Sequence, residues 1–512
     1  MTDNKVDNSF QRLLITVAVM SATVMQVLDT TIVNVALPHM QGSLSANPDE
    51  ISWVLTSYLV SSGIFMPLSG YFTDHFGQKR YLLFSIAGFV ASSALCGLSA
   101  NLAQIVTFRL LQGVFGAALV PLSQSIMVQT YPIEERGRAM AIWGLGVMVG
   151  PILGPTLGGY LTEHWSWRWA FYINVPVGVF SFILTSLQVP DTERRGRLMD
   201  WKGFLFIALF IGCLQVVLDR GNEDDWFSSD FIKLMAFSAS AGLIAFIYHS
   251  RRSQSRELFS PHLFTDRNFV TALVLIAAFG LGLFGMLFLQ PLMLESLLRY
   301  PVLTTGLVMA PRGIASMFSM LLVGRLLKHL DARLIILFGI LLSASGSYIT
   351  TYYNLSISPS WVIGPIVLQG LGVGLIFVPL STVAFSTLPP RYSAEAAGLY
   401  SLLRTVGSSI GISIVSTVFT RHTQIAWNQI GSHINQTNPA LYEYLGRIQL
   451  RLDDPAAAAV LSRELARQAQ MVAFLDCFTL VTWSFVIMVP LVFAMHPVHL
   501  LGASKSSLGN SQ

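Results

Sequence analysis

Long apolar blocks constrain the folding of this chain more than any other feature. The 512 residues are 53% hydrophobic and 11% charged, whereas soluble domains average about 25% charged residues. Apolar blocks of at least about 18 residues indicate membrane helices, because lipid leaves no water to satisfy an irregular backbone. We predict an all-α polytopic membrane protein with fourteen spans at 12–37, 51–72, 80–99, 102–130, 137–162, 168–189, 201–219, 231–250, 269–294, 303–325, 332–353, 361–387, 394–420 and 470–496.

The distribution of basic residues predicts the orientation of these spans. Nineteen of the 31 Lys and Arg residues fall in the connections on the side of the N-terminus, and four fall in the short opposite connections or adjoining helix ends. Positive charge marks the cytoplasmic side of a membrane protein. We therefore expect both termini in the cytoplasm.

Spans 7 and 8 differ from the other twelve because they carry few polar residues in mid-span. Removing them leaves six spans on each side, an arrangement typical of transporters built from repeats around a midplane site. We predict an N-terminal six-helix bundle at 1–189, a linker with two extra spans at 190–268, and a C-terminal six-helix bundle at 269–512. In the last, 421–469 is predicted as a periplasmic loop; a surface helix pair or a docking site is the alternative to a plain loop.

Two charged residues lie deep within predicted spans. Asp29 is ten residues from His39 at the end of span 1, and Arg109 is nine residues from Ala100 at the start of span 4. At a rise of 1.5 Å per residue both lie roughly 15 Å from the same face, so they share one level if the two spans adjoin. Intramembrane charges mark ion or substrate paths, although each could instead be bonded to backbone.

Two glycine-containing motifs follow. The segment 70–80 joins spans 2 and 3 and contains Gly70, Asp74, Gly77 and Arg80 in the pattern G-x-x-x-D-x-x-G-x-[KR]-[KR]. Glycines permit a tight backbone there, although an ordinary polar turn is the alternative. Span 5 contains small residues at spacings that let helices approach closely, together with prolines that remove backbone donors: Gly150, Pro151, Gly154, Pro155, Gly158 and Gly159.

These motifs, together with Leu28–Pro38, Arg109–Ala117 and Trp167–Gly178, resemble those of the 14-helix drug:proton antiporters of the major facilitator superfamily, and most closely the EmrB-type multidrug exporters. The resemblance implies a major facilitator fold in the bacterial inner membrane, a conformational latch at 70–80, and an antiporter motif in span 5. It also implies proton coupling by Asp29 and Arg109 and export of hydrophobic or amphipathic, often cationic, compounds. Expected substrate contacts are Met25, Asn34, Gln112, Gln290, Glu295, Arg312 and Arg404.

The side chains of the second half leave other interpretations open. Arg404 lies too deep to reach the surface, so we expect a buried partner for it, whereas Glu295 could equally form a surface ion pair with Arg299. The sequence has no ATP-binding G-x-x-x-x-G-K-[ST] motif and no catalytic or metal-binding constellation. We therefore expect no enzyme activity and no cofactor. The resemblance implies a periplasmic membrane-fusion adaptor and an outer-membrane channel as partners, and export of one specific metabolite is the alternative function.

Overall fold

Helices dominate the computed structural model, which describes residues 9–132, 135–192, 194, 199–252, 258–435, 438–447, 449–451 and 454–496. Within this part of the chain, thirteen helical segments are long and apolar enough to cross a membrane. The predicted span 2 is not among them: its residues form the helices Trp53–Phe65 and Ser69–Phe76, with a short 3-10 turn at Met66–Leu68 between them. The count of fourteen spans therefore stays a prediction. The predicted all-helical membrane fold is confirmed.

Most spans begin and end within a few residues of the predicted boundaries, but span 1 continues to Leu44, span 13 continues to Gly431, and span 14 begins at Pro455. Their helices, in chain order, are Ser9–Leu44; Trp53–Phe65 with Ser69–Phe76; Gln78–Leu98; Leu102–Gly116 with Leu119–Thr130; Arg136–His164; Trp169–Tyr172 with Asn174–Gln188; Trp201–Arg220; Asp230–Arg252; Arg267–Leu292; Val302–Leu326; Ala332–Thr350; Pro359–Ser386; Ser393–Gly431; and Pro455–Val492. Short helices Pro48–Ile51, Pro261–Thr265 and Pro439–Arg447 lie between them.

The prediction of a plain loop at 421–469 is wrong. Span 13 continues as a helix to Gly431, and span 14 already begins at Pro455. Between them, Leu441 and Leu445 of the short helix pack with Ala457 in a separate apolar cluster. Alanine-rich and charged sequence favours helix, and this packing gives the helices a small core of their own.

Spans 1–6 form a first half and spans 9–14 a second half, and the contacts between them concentrate at the end of the molecule that carries 70–80. There Ser125 bonds to Ser393 of span 13 with an Oγ to Oγ distance of 3.0 Å. The Gln129 side chain donates to the same Ser393 hydroxyl. At the opposite end, which carries 421–469, the apolar cluster around Val54 and Trp167 is formed by first-half residues alone.

The inserted spans 7 and 8 pack against each other, and span 7 also contacts span 2 of the first half and span 13 of the second. The domain boundaries at 189/190 and 268/269 stay predictions. The chain ends at 1–8 and 497–512, which enter the orientation argument, lie outside the described residues.

Candidate functional site

Asp29 lies at the centre of a fully buried polar cluster in the first half. Its Oδ2 atom is 2.6 Å from Arg109 Nη1. Its Oδ1 atom accepts hydrogen bonds from Gln112 Nε2 at 2.9 Å and from Asn174 Nδ2 at 2.7 Å. Neither Asp29 nor Arg109 exposes any surface. One cation and two amides therefore provide hydrogen-bond donors to both oxygen atoms of the Asp29 side chain in this conformation.

The Arg109 guanidinium is held from a second direction by span 2. Its Nε atom donates to the Val54 carbonyl at 3.1 Å, and its Cζ atom lies 4.3 Å from the centre of the Tyr58 ring. Val54 and Tyr58 are four residues apart, so they lie on one helix face. Arg109 thus connects Asp29 of span 1 to span 2, and a movement of span 2 changes the surroundings of the carboxylate.

The glycines of span 5 set the distance between spans 5 and 1. A Cβ atom built on Gly150 would lie 2.8 Å from backbone atoms of Val27, and one on Gly154 would lie 2.0 Å from Thr31 Oγ1. Gly158 abuts Ile32 in the same way. The helix runs without interruption through Pro151 and Pro155. The spacing therefore fixes span 1, and with it Asp29, against span 5.

The end of the motif at Gly70 lies directly against the second half. A Cβ atom on Gly70 would be 2.6 Å from Glu395 Cβ and 2.8 Å from Glu395 Cα, at the start of span 13. Asp74 is half-buried one turn further along the same helix. Gly77 ends that helix with a φ of 85°, a conformation that glycine adopts without strain. Arg80 lies 3.7 Å from Asp191 in an exposed pair.

The second half has a buried arginine cluster of different chemistry. Arg312 donates through Nη2 to the side-chain oxygens of Gln290 and Gln369. Gln290 also donates to Gln369 at 3.1 Å. No carboxylate takes part in these hydrogen bonds, whereas the cluster in the first half is centred on one. Of these two buried clusters, only the one in the first half contains an acid, Asp29.

Aromatic rings separate the two halves in the middle of the molecule. Trp143 of span 5 stacks on Phe377 of span 12, with ring centroids 5.6 Å apart. Arg404 of span 13 lies with its Cζ atom 5.9 Å from the centre of the Phe377 ring. The buried partner expected for Arg404 is therefore an aromatic face, and within the described part of the chain no acid forms an ion pair with it.

Three predicted substrate contacts lie outside these clusters. Met25 is buried, with its sulfur against Gly178 of span 6. Asn34 is exposed on span 1. Glu295 is exposed in a π-helical turn, and it forms no ion pair with Arg299, whose φ is 59°. The alternative of a surface pair with Arg299 is therefore not found, because an i,i+4 contact requires regular α-helix through both residues; a proton or substrate role for Glu295 stays a prediction.

Asn174 bonds directly to Asp29, although the sequence did not predict it as a site residue. It lies in Trp167–Gly178, a segment that resembles a family signature. Its Nδ2 atom also donates to Ser93 Oγ at 3.0 Å, so it connects span 3 to Asp29. The sequence feature that could have identified Asn174 is a single amide at the start of an apolar helix, since polar side chains within a membrane form hydrogen bonds with other helices.

Two six-span halves joined by an inserted pair, with a buried charge cluster in one half, define a polytopic membrane transporter. The family model described as Major Facilitator Superfamily matches residues 19–412. The chain belongs to this superfamily, among relatives of the EmrB multidrug exporter type.

Characterised relatives align over almost the whole chain. The chain is 33% identical to the probable multidrug resistance protein EmrY of Escherichia coli K12, over 94% of this chain and 95% of that protein. It is 32% identical to the multidrug export protein EmrB of the same organism, over 95% and 96%. It is 33% identical to the fatty acid resistance protein FarB of Neisseria gonorrhoeae, over 94% and 96%.

Solved structures show the same fold at low sequence identity. The human organic anion transporter MFSD10 superimposes with a TM-score of 0.61 at 15% identity, covering 94% of this chain and 99% of that one. The proton:xylose symporter XylE superimposes with a TM-score of 0.60 at 13% identity, covering 94% and 97%.

Proposed function

We propose that this protein is a proton-coupled multidrug efflux transporter that exports hydrophobic or amphipathic compounds, cationic ones among them. The Asp29–Arg109 pair, buried in the first half, is the observation that carries the coupling part of the proposal. The export part rests on the 32–33% identity to EmrB and EmrY. Because the fold belongs to a transporter superfamily, we propose no enzymatic activity.

Coupling in this proposal depends on span 2. The part of span 2 around Gly70 packs on Glu395 of the second half. The part near the start of span 2 holds Arg109 through Val54 and Tyr58. A proton that enters from the side opposite the 70–80 end neutralises the carboxylate, and Arg109 then loses its charged partner. When the halves move apart at the 70–80 end, span 2 moves and brings Arg109 back against Asp29, which favours the charged carboxylate and release of the proton.

The closed end indicates which step of the proposed export cycle this conformation represents. In this structure the halves meet at the end that carries 70–80, which we assign to the cytoplasm. Asp29 binds a proton from the other side as the compound leaves. Release of that proton to the cytoplasm, once Arg109 returns, resets the cycle.

We further propose that the protein lies in the bacterial inner membrane with both termini in the cytoplasm. In this orientation the helices at 421–469 project into the periplasm, where Pro439–Arg447 exposes charged side chains. This extension is the part of the chain best placed to contact a periplasmic membrane-fusion adaptor and, through it, an outer-membrane channel.

Export of one metabolite is the alternative function. It is favoured by Arg404, which lies beside the Phe377 ring and near the aromatic contact between the halves. A positive charge at this place attracts an acidic compound and repels cationic ones.

Purified protein in liposomes with an imposed pH gradient tests both functions. Gradient-driven accumulation of several unrelated amphipathic dyes, each competing with the others, is expected for the multidrug exporter. Transport of a single acidic compound without competition by the dyes would favour the alternative. Absence of any gradient-driven transport by folded protein would overturn the proposal.

A further inference from the structure

Span 7, the first inserted helix, lies in the seam between one helix of each half. Toward span 2, a Cβ atom on Gly63 would be 3.2 Å from Ile211. Toward span 13, Gln215 donates through Nε2 to Ser409 Oγ at 2.7 Å. The inserted helix is therefore bonded to the second half and packed on the first.

The turn that follows span 7 extends this bridge. Arg220 donates through Nη1 to Ser52 Oγ, at the start of span 2, at 2.9 Å. Trp226 donates through its indole nitrogen to Thr417 Oγ1 of span 13 at 3.1 Å. A relative movement of spans 2 and 13 must break or stretch bonds on one side of this bridge.

Asp219 lies within the seam. Its Oδ1 atom accepts a hydrogen bond from Gln215 Nε2 at 3.0 Å, and the side chain of Thr56 of span 2 lies beside the same carboxyl group. Its Oδ2 atom is buried and has no hydrogen-bond partner among the described residues. Gln215 thus connects Asp219 of the inserted helix to Ser409 of the second half.

The charges around Asp219 leave it without a counter-ion. On its own helix, the adjacent Arg220 lies 3.5 Å from both Glu223 and Asp224 and is drawn toward them. Glu223, four residues along, adds a negative charge on the same face. In the described part of the chain, two neighbouring groups are uncharged: Thr56 of span 2, beside Asp219, and Ser409 of span 13, which bonds to Gln215. A carboxylate held away from water without a cation is costly.

We propose that Asp219 is a second proton-binding carboxyl, protonated while span 7 bridges spans 2 and 13, and deprotonated when the movement of the halves breaks that bridge. On release, the O–H bond of the carboxyl breaks and the proton passes to water entering the seam; the reverse movement restores it. The site rests on its own geometry, but its part in transport rests on the proposed proton coupling.

Span 2 connects this site to Asp29. Thr56 contacts Asp219, while Val54 and Tyr58 on the opposite face of the same helical turn hold Arg109. One turn of span 2 therefore contacts both acids, so a movement of that turn changes both environments together. The inserted pair, on this proposal, adds a proton site to the cycle.

Infrared difference spectroscopy of the full-length protein in detergent tests the site without requiring transport. We expect a protonated-carboxyl band at neutral pH in the wild type that is lost in Asp219→Asn and retained in Asp225→Asn, an exposed acid of the following turn. In Gln215→Leu the band should persist at a shifted frequency, because its carbonyl loses a donor. This variant also serves if Asp219→Asn does not fold. An unchanged band in both Asp219 and Gln215 variants would overturn the site.

The switching step has a separate test. In Gly70→Ala the added methyl group meets Glu395 at the 70–80 end, which should favour the conformation that is open at that end. Protease accessibility verifies this change of conformation. The Asp219 band should then be weaker in this variant than in the wild type. An undiminished band there would refute the switch. Gradient-driven transport that fails while the Asp219 band is present would contradict the proposed function and leave the proton site standing.

Discussion

Replacing Asp29 with Asn tests the coupling cluster most directly. The substitution removes the charge opposite Arg109, whose guanidinium exposes no surface and lies 2.6 Å from the carboxylate. Removing one partner of a buried ion pair typically costs about 3–5 kcal/mol, because the other charge stays buried without compensation. We expect Asp29→Asn to unfold at lower temperature in detergent by an amount consistent with this cost.

The double variant Asp29→Asn with Arg109→Gln separates charge from packing. It removes both charges while it keeps hydrogen-bonding side chains beside Gln112 and Asn174. Residues in contact show coupling energies of about 0.5–3 kcal/mol. We therefore expect the double variant to be more stable than the sum of the two single changes predicts.

The functional assay is the release of protons when a substrate is added to detergent-solubilised protein, followed with a pH-indicator dye. Wild type and the control Asp230→Asn, whose side chain is 97% exposed, should release protons. Asp29→Asn should release fewer protons, because the protons that come from this carboxyl are lost. A pH gradient should not drive efflux by this variant in liposomes. In this variant, binding of neutral compounds should survive better than binding of cations. Wild-type proton release by the folded variant would refute the assignment of Asp29.

Three further predictions concern packing and the latch. Gly70→Ala should shift the protein toward opening at the 70–80 end, because the new methyl group meets Glu395; protease or cysteine-label accessibility of that end measures the shift, and unchanged accessibility would contradict it. Gly150→Ala should destabilise the folded protein by about 1–3 kcal/mol through overpacking against span 1, while Gly159→Ala, which has open space, should not; equal melting temperatures of the two variants would count against this packing. Asp74→Asn should slow transport in liposomes but leave substrate binding intact; lost binding in folded protein would exclude a purely conformational role.

Local composition predicted the spans and the depth of the two buried charges. A run of apolar residues must form a helix in lipid, since the backbone has no other partners there, and a fixed rise per residue converts sequence position into depth. For this reason the structure brings Asp29 and Arg109 to one level, as their counts from His39 and Ala100 indicated. Only the fold decided that spans 1 and 4 adjoin, because depth says nothing about direction around the bundle.

Residues that act through contacts between distant spans could not be assigned from the sequence. Asn174 and Tyr58 meet the Asp29 cluster from spans 6 and 2, and Asp219 near the end of span 7 gains its importance only where spans 2 and 13 surround it. Sequence determined which residues are costly to bury in a membrane. Tertiary structure decided which of them share a partner, because the free energy of a buried charge depends on neighbours supplied by other helices.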